Sequence, residues 1–234
     1  NKFFDKKNTK ALQNKADLVL ASNVFAHNDN LEEMLECIKN SLKFNGTIVI
    51  EIQYLINTIK DVSFDNIYHE HVNYWSLTSI KIFLNRFNCR IFRVEKLDTH
   101  GGSLRIYASK NKKNKIDNSV NSILKSEIKF GIKNAKTYEN YQKKLDLKKI
   151  NVIKNISWLK KKYKILIGYG ASAKATVSLN YFGINKKQIK NMIDDNKFKK
   201  GKIIPGTGIK IISKNKIKKK SKCIIVFAWN MFEE

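Results

Sequence analysis

The chain has 234 residues, enough for one large domain or two small ones, and its hydrophobic fraction of 42% supports a packed core and argues against global disorder. It contains no apolar run long enough to span a bilayer and begins with polar residues that do not form a signal peptide, so we expect a cytoplasmic protein without a membrane part. The net charge of +26 comes from lysines spread along the chain, because arginine occurs only at Arg86, Arg90, Arg93 and Arg105. This pattern is typical of solvated faces and does not predict nucleic-acid binding.

The three cysteines do not indicate a disulfide framework or a zinc site. Cys37, Cys89 and Cys223 are odd in number and far apart in the sequence. We therefore expect buried structural thiols in a reducing compartment.

Apolar periodicity predicts alternating strands and helices through the first half of the chain. The predicted elements are a buried parallel strand at 17–22, a helix at 31–42, a strand at 47–52, a helix at 77–87 and strands at 90–97 and 104–108. Asn30 and Ser76 can cap the two helices, and Gly46 ends the element before the second strand. The alternation indicates an α/β sheet, in which Asn23 and Glu51 end their strands and face the ligand crevice.

The second half predicts a long helical stretch and then a renewed α/β rhythm. Residues 120–161 have a helical pattern with Leu145, Ile150, Ile153 and Trp158 as inward positions. The elements predicted after it are a strand at 163–167, a turn at 168–174, a helix at 172–181 and strands at 190–193 and 223–228.

The four histidines all lie in short polar segments, and two of them belong to the run Tyr68-His69-Glu70-His71. This run combines an imidazole that can take a proton, a carboxylate that can orient it and a phenol that can donate to an enolate oxygen, which favours proton abstraction next to a carbonyl. Two other interpretations remain open. The run could be a polar connector, or His69 and His71 could bind a metal together with His27 or His100.

Two glycine-containing turns are further candidates. Gly168 and Gly170, with Ala173, follow an apolar strand and precede a helix, as in a dinucleotide-binding turn, and Asp194 and Asp195 end the next strand, about where a ribose-binding acid would stand. Lys174 indicates a phosphate ligand, although a tight turn without a ligand would have the same pattern.

The second turn contains His100 and Gly101 and joins two strands. Its paired glycines indicate a close approach by a ligand or an unusual turn, and the nearby Arg105 could pair with a phosphate or a carboxylate.

Taken together, these segments resemble the sugar C-methyltransferase family, whose members use S-adenosylmethionine to methylate a keto-deoxysugar carried on a nucleoside diphosphate. The resembling segments are 16–30, 64–76, 99–105, 168–174, 199–207 and 228–230. The run Tyr68-His69-Glu70-His71 followed by the turn at His100 is the specific part of this resemblance.

The resemblance implies an α/β fold made of the C-terminal half of a Rossmann-like methyltransferase sheet and a second Rossmann-like α/β domain. We expect residues 1–112 to form the former with the catalytic connector, residues 113–162 to form linking helices, and residues 163–234 to form a truncated domain on the nucleotide-sugar side. The family's N-terminal zinc-binding region and its glycine-rich S-adenosylmethionine loop have no counterpart here, so the chain is expected to be a fragment that is inactive alone.

The resemblance also implies residue roles. His71 is the base that removes a proton beside the ketone, while Tyr68 and Glu70 stabilise the enolate and orient the base. His27 and Asn23 contact the sugar near the methyl donor. The other expected substrate-side residues are His69, His100, Gly101, Arg105, Gly168, Gly170 and Lys174. No metal ligand and no nucleic-acid partner are expected.

The alternative function is an NAD(P)-binding oxidoreductase or regulatory module, based on Gly168, Gly170 and Ala173. It leaves His27 and the run from Tyr68 to His71 unexplained. A basic scaffold without enzymatic activity ranks third.

Overall fold

The computed structural model describes residues 4–216 and 222–227, which divide into two compact units. Unit 1 contains the described residues up to Asp61 together with His69–Tyr138. Unit 2 contains Val62–Tyr68 and the described residues from Glu139 onward. The chain thus leaves unit 1, contributes seven residues to unit 2 and returns.

Unit 1 is built on a four-stranded mixed sheet with the strand order β1-β2-β4-β3. Its strands are β1 Ala16–Ser22, β2 Leu42–Gln53, β3 Arg90–Leu97 and β4 Ser103–Ser109. β1 pairs with β2 in parallel, whereas β4 is antiparallel to both β2 and β3. Alternate residues on the two central strands, such as Ile50 and Ile106, are fully buried, as expected for a sheet with one face on the core.

β1 differs from the fully buried strand that its apolar run predicts. It lies at the edge of the sheet, and Leu18 and Leu20 are 51% and 67% exposed. A run of apolar residues does not distinguish a central strand from an edge strand, because both faces of the run are apolar in either case.

Five helices accompany this sheet within the described part of unit 1. They are α1 Lys6–Thr9, α2 Leu31–Ser41, α3 Leu55–Lys60, α4 Leu77–Arg86 and α5 Asn118–Phe130. Both predicted caps are confirmed: Asn30 accepts from the Glu33 N–H at 3.2 Å, and Ser76 forms a reciprocal capping box with Ser79. The expectation for Gly46 was wrong, because α2 ends at Ser41 and Gly46 lies inside β2.

A buried carboxylate ties α5 to the start of α4. Glu127 is fully buried, and its Oε1 accepts from the Leu77 N–H at 2.6 Å. Its Oε2 accepts from the Thr78 N–H at 2.8 Å and from the Thr78 hydroxyl at 2.5 Å. The negative charge lies at the positive end of α4, where the first N–H groups lack partners within the helix.

Unit 2 is built on a four-stranded parallel sheet with the order β7-β6-β5-β8. Its strands are β5 Ile165–Tyr169, β6 Ile189–Ile193, β7 Lys210–Ile212 and β8 Lys222–Val226. The helix α7 Ala173–Phe182 follows β5 directly. β7 was not predicted, and β5 begins two residues later than expected because the preceding helix runs to Tyr163.

That preceding helix, α6 Ala135–Tyr163, begins at the end of unit 1 and continues through unit 2. The single helical stretch predicted over 120–161 is in fact α5 and α6, separated where Gly131 ends α5 in the left-handed region at φ 79°. Leu145 is buried as predicted, whereas Ile150, Ile153 and Trp158 are exposed. None of the helices in the described ranges is both long enough and apolar enough to cross a bilayer.

The three thiols are free. Cys37 and Cys89 are buried as expected, whereas Cys223 on β8 is only half-buried.

Candidate functional site

The candidate site in unit 1 begins where β1 ends. Asn23 follows the strand directly and has a positive φ of 54°, while its N–H donates to the Glu51 carbonyl at 2.9 Å. Asparagine tolerates this left-handed conformation better than most residues. The sharp bend directs the loop of residues 23–30 across the carboxyl end of the sheet, where ligands bind in open α/β sheets.

This loop is joined to the connector at residues 70–75 by five hydrogen bonds. The contacts are His27 Nδ1 to the Glu70 carbonyl at 2.8 Å, the Val72 N–H and the Asn73 N–H to the Ala26 carbonyl at 2.9 Å and 3.3 Å, Asn73 Nδ2 to the Asn28 carbonyl at 3.1 Å and Trp75 Nε1 to the Phe25 carbonyl at 3.4 Å. Two segments more than 40 residues apart in the sequence therefore form one rigid edge.

His27 and His71 meet at this edge. Their ring centroids are 4.7 Å apart, with the rings tilted by 59°. Because a carbonyl oxygen only accepts, the contact with Glu70 places a proton on Nδ1 of His27 and leaves its Nε2 as the acceptor in the neutral ring. His71 also contacts Tyr74 edge-to-face, at 6.5 Å between centroids.

The remaining residues of the predicted catalytic run are divided between the two units. His69 and Glu70 are exposed in unit 1, and the Glu70 main chain holds His27. Tyr68 is half-buried and is the last residue of the segment that belongs to unit 2. Within unit 1 the structure thus brings together His27, His71 and the Glu70 main chain.

A cavity of about 570 Å³ opens beside His27. Its lining consists of Phe4, Asp5, Val24, His27, Asn28, Asp29, Asn30, Glu33 and Met34. Three of these residues are carboxylates, although the chain as a whole carries a net charge of +26. The volume lies in the range of small-molecule sites, and the charge of the lining favours a cationic ligand. The sequence did not predict Phe4, Asp5 or Glu33, because they are charged or terminal residues without a local motif.

Arg105, expected on the substrate side, is engaged by the protein itself. Its Nε donates to Glu51 Oε1 at 2.6 Å, and Glu95 lies 3.6 Å away on the neighbouring strand. Ser22 donates to the other Glu51 oxygen at 2.8 Å. These side chains form a row of alternating charge across the sheet, which neutralises Glu51 at the end of β2.

The turn that contains His100 is a short 3₁₀ segment at Thr99–Gly101. The His100 side chain lies outside the described residues. Both glycines have positive φ, 80° at Gly101 and 103° at Gly102. A Cβ on Gly102 would lie 1.9 Å from Asn57 Nδ2, whereas one on Gly101 would meet nothing within 4 Å. The close approach at Gly102 is therefore made by the protein, and the open side of the turn is at Gly101.

Gly168 and Gly170 have different roles in unit 2. Gly168 lies inside β5, and a Cβ there would come within 2.5 Å of the Met192 sulfur. Its small size is required by packing within the sheet, so the expectation that Gly168 lets a ligand approach is corrected. Gly170 lies in the turn after β5 with φ 91°, and its N–H donates to the Ile193 carbonyl at 2.8 Å.

The turn after β5 is held by Asp194 and Lys199. Asp194 Oδ2 accepts from the Ala171 N–H at 2.8 Å and from Lys199 Nζ at 3.0 Å, and Lys199 also donates to the Ala171 carbonyl at 2.9 Å. Burial alone would raise the pKa of the Asp194 carboxyl, but hydrogen bonds from the Asn196 N–H, Lys199 and the Ala171 N–H outweigh it and lower this pKa. A carboxylate engaged in this way is not free to bind a ribose.

The last predicted residue, Lys174, is half-buried in the first turn of α7, close to the Ser172 cap. Among the described residues, no group of three histidine, cysteine, aspartate or glutamate side chains is arranged to hold a metal ion.

Sequence comparison assigns the class of protein. Residues 1–94 match the model of a methyltransferase domain, and residues 98–234 match the model of the C-methyltransferase C-terminal domain. The second match covers more than half of the chain, which therefore belongs to the C-methyltransferase C-terminal domain family.

Among individual proteins, the chain is 29% identical over 199 residues to the C-methyltransferase NovU of Streptomyces niveus. The match covers 85% of this chain and 47% of NovU, so the chain spans about half the length of that relative.

Two solved structures are similar over a smaller part. The PH0226 protein of Pyrococcus horikoshii OT3 matches with a TM-score of 0.33 and 16% identity, over 42% of this chain and 52% of that one. A SAM-dependent methyltransferase of Aquifex aeolicus matches with a TM-score of 0.31 and 15% identity, over 41% and 46%. Both matches cover less than half of this chain at a low TM-score and do not define its fold.

Proposed function

We propose that this chain carries the acid–base centre of an S-adenosylmethionine-dependent C-methyltransferase whose substrate is a keto-deoxysugar on a nucleoside diphosphate. The observation that carries the proposal is the pairing of His27 with His71 beside the cavity at the carboxyl end of β1. Family membership and the likeness to a C-methyltransferase support the reaction class.

The proposed chemistry is proton removal followed by carbon–carbon bond formation. His71 takes the proton from the sugar carbon beside the ketone, and the electrons of that C–H bond form an enolate. The Tyr68 phenol donates a hydrogen bond to the enolate oxygen, and Glu70 orients the base. Asn23 and His27 contact the sugar. The enolate carbon then attacks the methyl group, and the electrons of the broken carbon–sulfur bond stay on sulfur.

The cavity beside His27 fits a methyl donor. S-adenosylmethionine supplies an electrophilic methyl group on a sulfonium cation, and a cavity lined by Asp5, Asp29 and Glu33 suits a positive charge. Phe4 and Met34 add apolar surface for the rest of the molecule. A glycine-rich donor loop is not among the residues of this chain, so we propose that the rest of the donor site is supplied by other sequence.

We further propose the domain assignment 1–112, 113–162 and 163–234, with a Rossmann-like methyltransferase part and a second Rossmann-like domain on the nucleotide-sugar side. Of the linking residues, 113–138 lie in unit 1 and 139–162 in unit 2, and residues 62–68 of the first part lie in unit 2. The parallel order β7-β6-β5-β8 supports the second part. Numbered in chain order, these strands have the order 3-2-1-4, as at the start of dinucleotide-binding folds. In this domain Gly170 and Lys174 would line the nucleotide sugar. We also propose a cytoplasmic location, and we assign no residue of this chain to zinc.

The NAD(P)-binding alternative is less well supported. Its ribose-binding acid would be Asp194, and that carboxylate is already held by Ala171, Asn196 and Lys199. The alternative also gives no role to the pairing of His27 with His71.

The test is methyl transfer by the complete gene product that carries this sequence. The protein is incubated with S-adenosylmethionine and a panel of nucleoside diphosphate keto-deoxyhexoses, and products are followed by mass spectrometry. We expect one sugar to be methylated on carbon and His71→Gln to lower kcat by about 10²–10⁴-fold, with the Kd for the donor unchanged. Absence of turnover across the panel, or a His71→Gln variant with the wild-type kcat, would refute the proposal.

A further inference from the structure

The connector that carries the candidate catalytic run crosses between the two units twice. The first crossing is between Asp61 and Val62, and the second is between Tyr68 and His69. The second crossing therefore falls inside the catalytic run. Tyr68 belongs to unit 2, whereas the base His71 belongs to unit 1.

The segment 62–68 is held in unit 2 by Phe64. This side chain is only 6% exposed and is part of the hydrophobic core of unit 2. Its ring centroid lies 4.9 Å from that of Tyr181 and 5.2 Å from that of Phe182, both on α7. Lys148 on α6 adds a hydrogen bond to the Val62 carbonyl at 3.2 Å, and its Nζ lies 6.0 Å from the centre of the Phe64 ring.

The backbone at the first crossing is strained. Val62 has a φ of 52°, in the left-handed region that β-branched residues avoid. Such a conformation persists only where the surrounding structure imposes it, and strained residues of this kind concentrate near functional sites. Here the strain accompanies the burial of Phe64 two residues later.

We propose that Phe64 is a positioning residue for the reaction and that it acts through Tyr68. It fixes the segment 62–68 in the core of unit 2 and thereby orders the backbone that carries Tyr68. The inference rests on the proposed function, which gives Tyr68 the task of stabilising the enolate. A displacement of about 1 Å at a reacting group can cost about 10²-fold in rate. Loss of the Phe64 contacts should therefore lower kcat.

The test is a double-mutant cycle in the complete gene product with S-adenosylmethionine and the methylated sugar nucleotide. The variants are Phe64→Leu, Tyr68→Phe and their combination. Ile211→Val is the matched control, since Ile211 is also 6% exposed in the same core but belongs to β7 and not to the segment 62–68. We expect Phe64→Leu to lower kcat at least 10-fold with the KM for the donor unchanged, and Ile211→Val to stay within twofold of wild type.

The cycle separates a positioning role from a purely structural one. If Phe64 acts through Tyr68, adding Phe64→Leu to Tyr68→Phe should lower kcat by less than a further twofold. Independent, multiplicative losses would overturn the inference, and so would a wild-type kcat for Phe64→Leu in an enzyme that needs Tyr68. A Tyr68→Phe enzyme with the wild-type kcat would instead refute the role of Tyr68 in the proposed function.

A second variant covers the case in which Phe64→Leu does not fold. Lys148 is exposed, and Lys148→Met removes the hydrogen bond to the Val62 carbonyl and the contact of Nζ with the Phe64 ring, while every apolar side chain of the core is kept. We expect about a threefold loss in kcat that also disappears in the Tyr68→Phe background. A loss of the same size in both backgrounds would contradict the inference.

Discussion

Replacing Glu127 by glutamine should strongly destabilise unit 1, because this residue holds the end of the connector that leads into α4. The carboxylate accepts three hydrogen bonds, from the Leu77 N–H, the Thr78 N–H and the Thr78 hydroxyl. A glutamine oxygen can keep the two contacts with Thr78, but its NH₂ group then faces the Leu77 N–H, donor against donor.

The expected loss follows from these contacts. One charge-assisted hydrogen bond to a buried group is worth about 2 kcal/mol, and making the two remaining bonds neutral costs about 0.5–1 kcal/mol each. Removing the negative charge from the N-terminus of α4 adds about 0.5–1 kcal/mol. The sum is about 4 kcal/mol, which is a large part of the stability of an ordinary domain, about 5–15 kcal/mol.

The assay is equilibrium urea unfolding followed by circular dichroism. With an m value of about 2.5 kcal/mol per M, the loss should lower the midpoint of unit 1 by about 1.5 M. Glu32→Gln is the matched control in the same unit, because Glu32 is exposed on α2 and the change weakens only a surface pair with Arg86, which should alter the free energy of unfolding by less than about 1 kcal/mol. A Glu127→Gln protein within about 0.5 kcal/mol of wild type would refute the reasoning.

Three further predictions concern the sites themselves. Asn23→Gly should keep the bend at φ 54° and the stability but lose methyltransferase activity, whereas Asn23→Ala should lose both stability and activity. A glycine variant with wild-type activity would show that the Asn23 amide does not take part in the reaction. Asp194→Asn should have a lower thermal unfolding midpoint than wild type near neutral pH, because the lowered pKa of Asp194 means that its ionised form stabilises the fold. The difference in midpoint should shrink as the pH falls below 3.8 and the carboxylate is protonated, and a difference that stays constant with pH would contradict this. Calorimetry on the 234-residue chain alone should show no micromolar binding of S-adenosylmethionine, and a Kd near 1 μM, about −8 kcal/mol, would show that the donor loop is not needed.

The local elements could be predicted because their signals are local. The caps at Asn30 and Ser76 lie within three residues of the N–H groups that they satisfy, and β3 begins and ends where the apolar pattern places it. The inward face of α6 could not be predicted. This helix has apolar residues on opposite sides, so periodicity alone does not select the side of Ile156, which is buried, over that of Trp158, which is 58% exposed.

The candidate site was predictable in its residue types but not in its assembly. Histidines beside a carboxylate and a phenol indicate acid–base chemistry from the sequence alone. That His27 meets His71, and that Asp194 is held by Lys199, depends on contacts between separate elements that no local pattern contains. Glu127 was missed for the same reason, since its partners lie 49 and 50 residues away.

The central claim is that His71 removes a proton from the sugar carbon beside the ketone, and solvent deuterium exchange tests it most directly. The complete gene product is incubated in D₂O with the sugar nucleotide and without S-adenosylmethionine, and exchange at that carbon is followed by NMR. We predict that the wild-type protein exchanges one deuterium into this position and that His71→Gln slows the exchange by at least about 10²-fold. Exchange by His71→Gln at the wild-type rate would contradict the account.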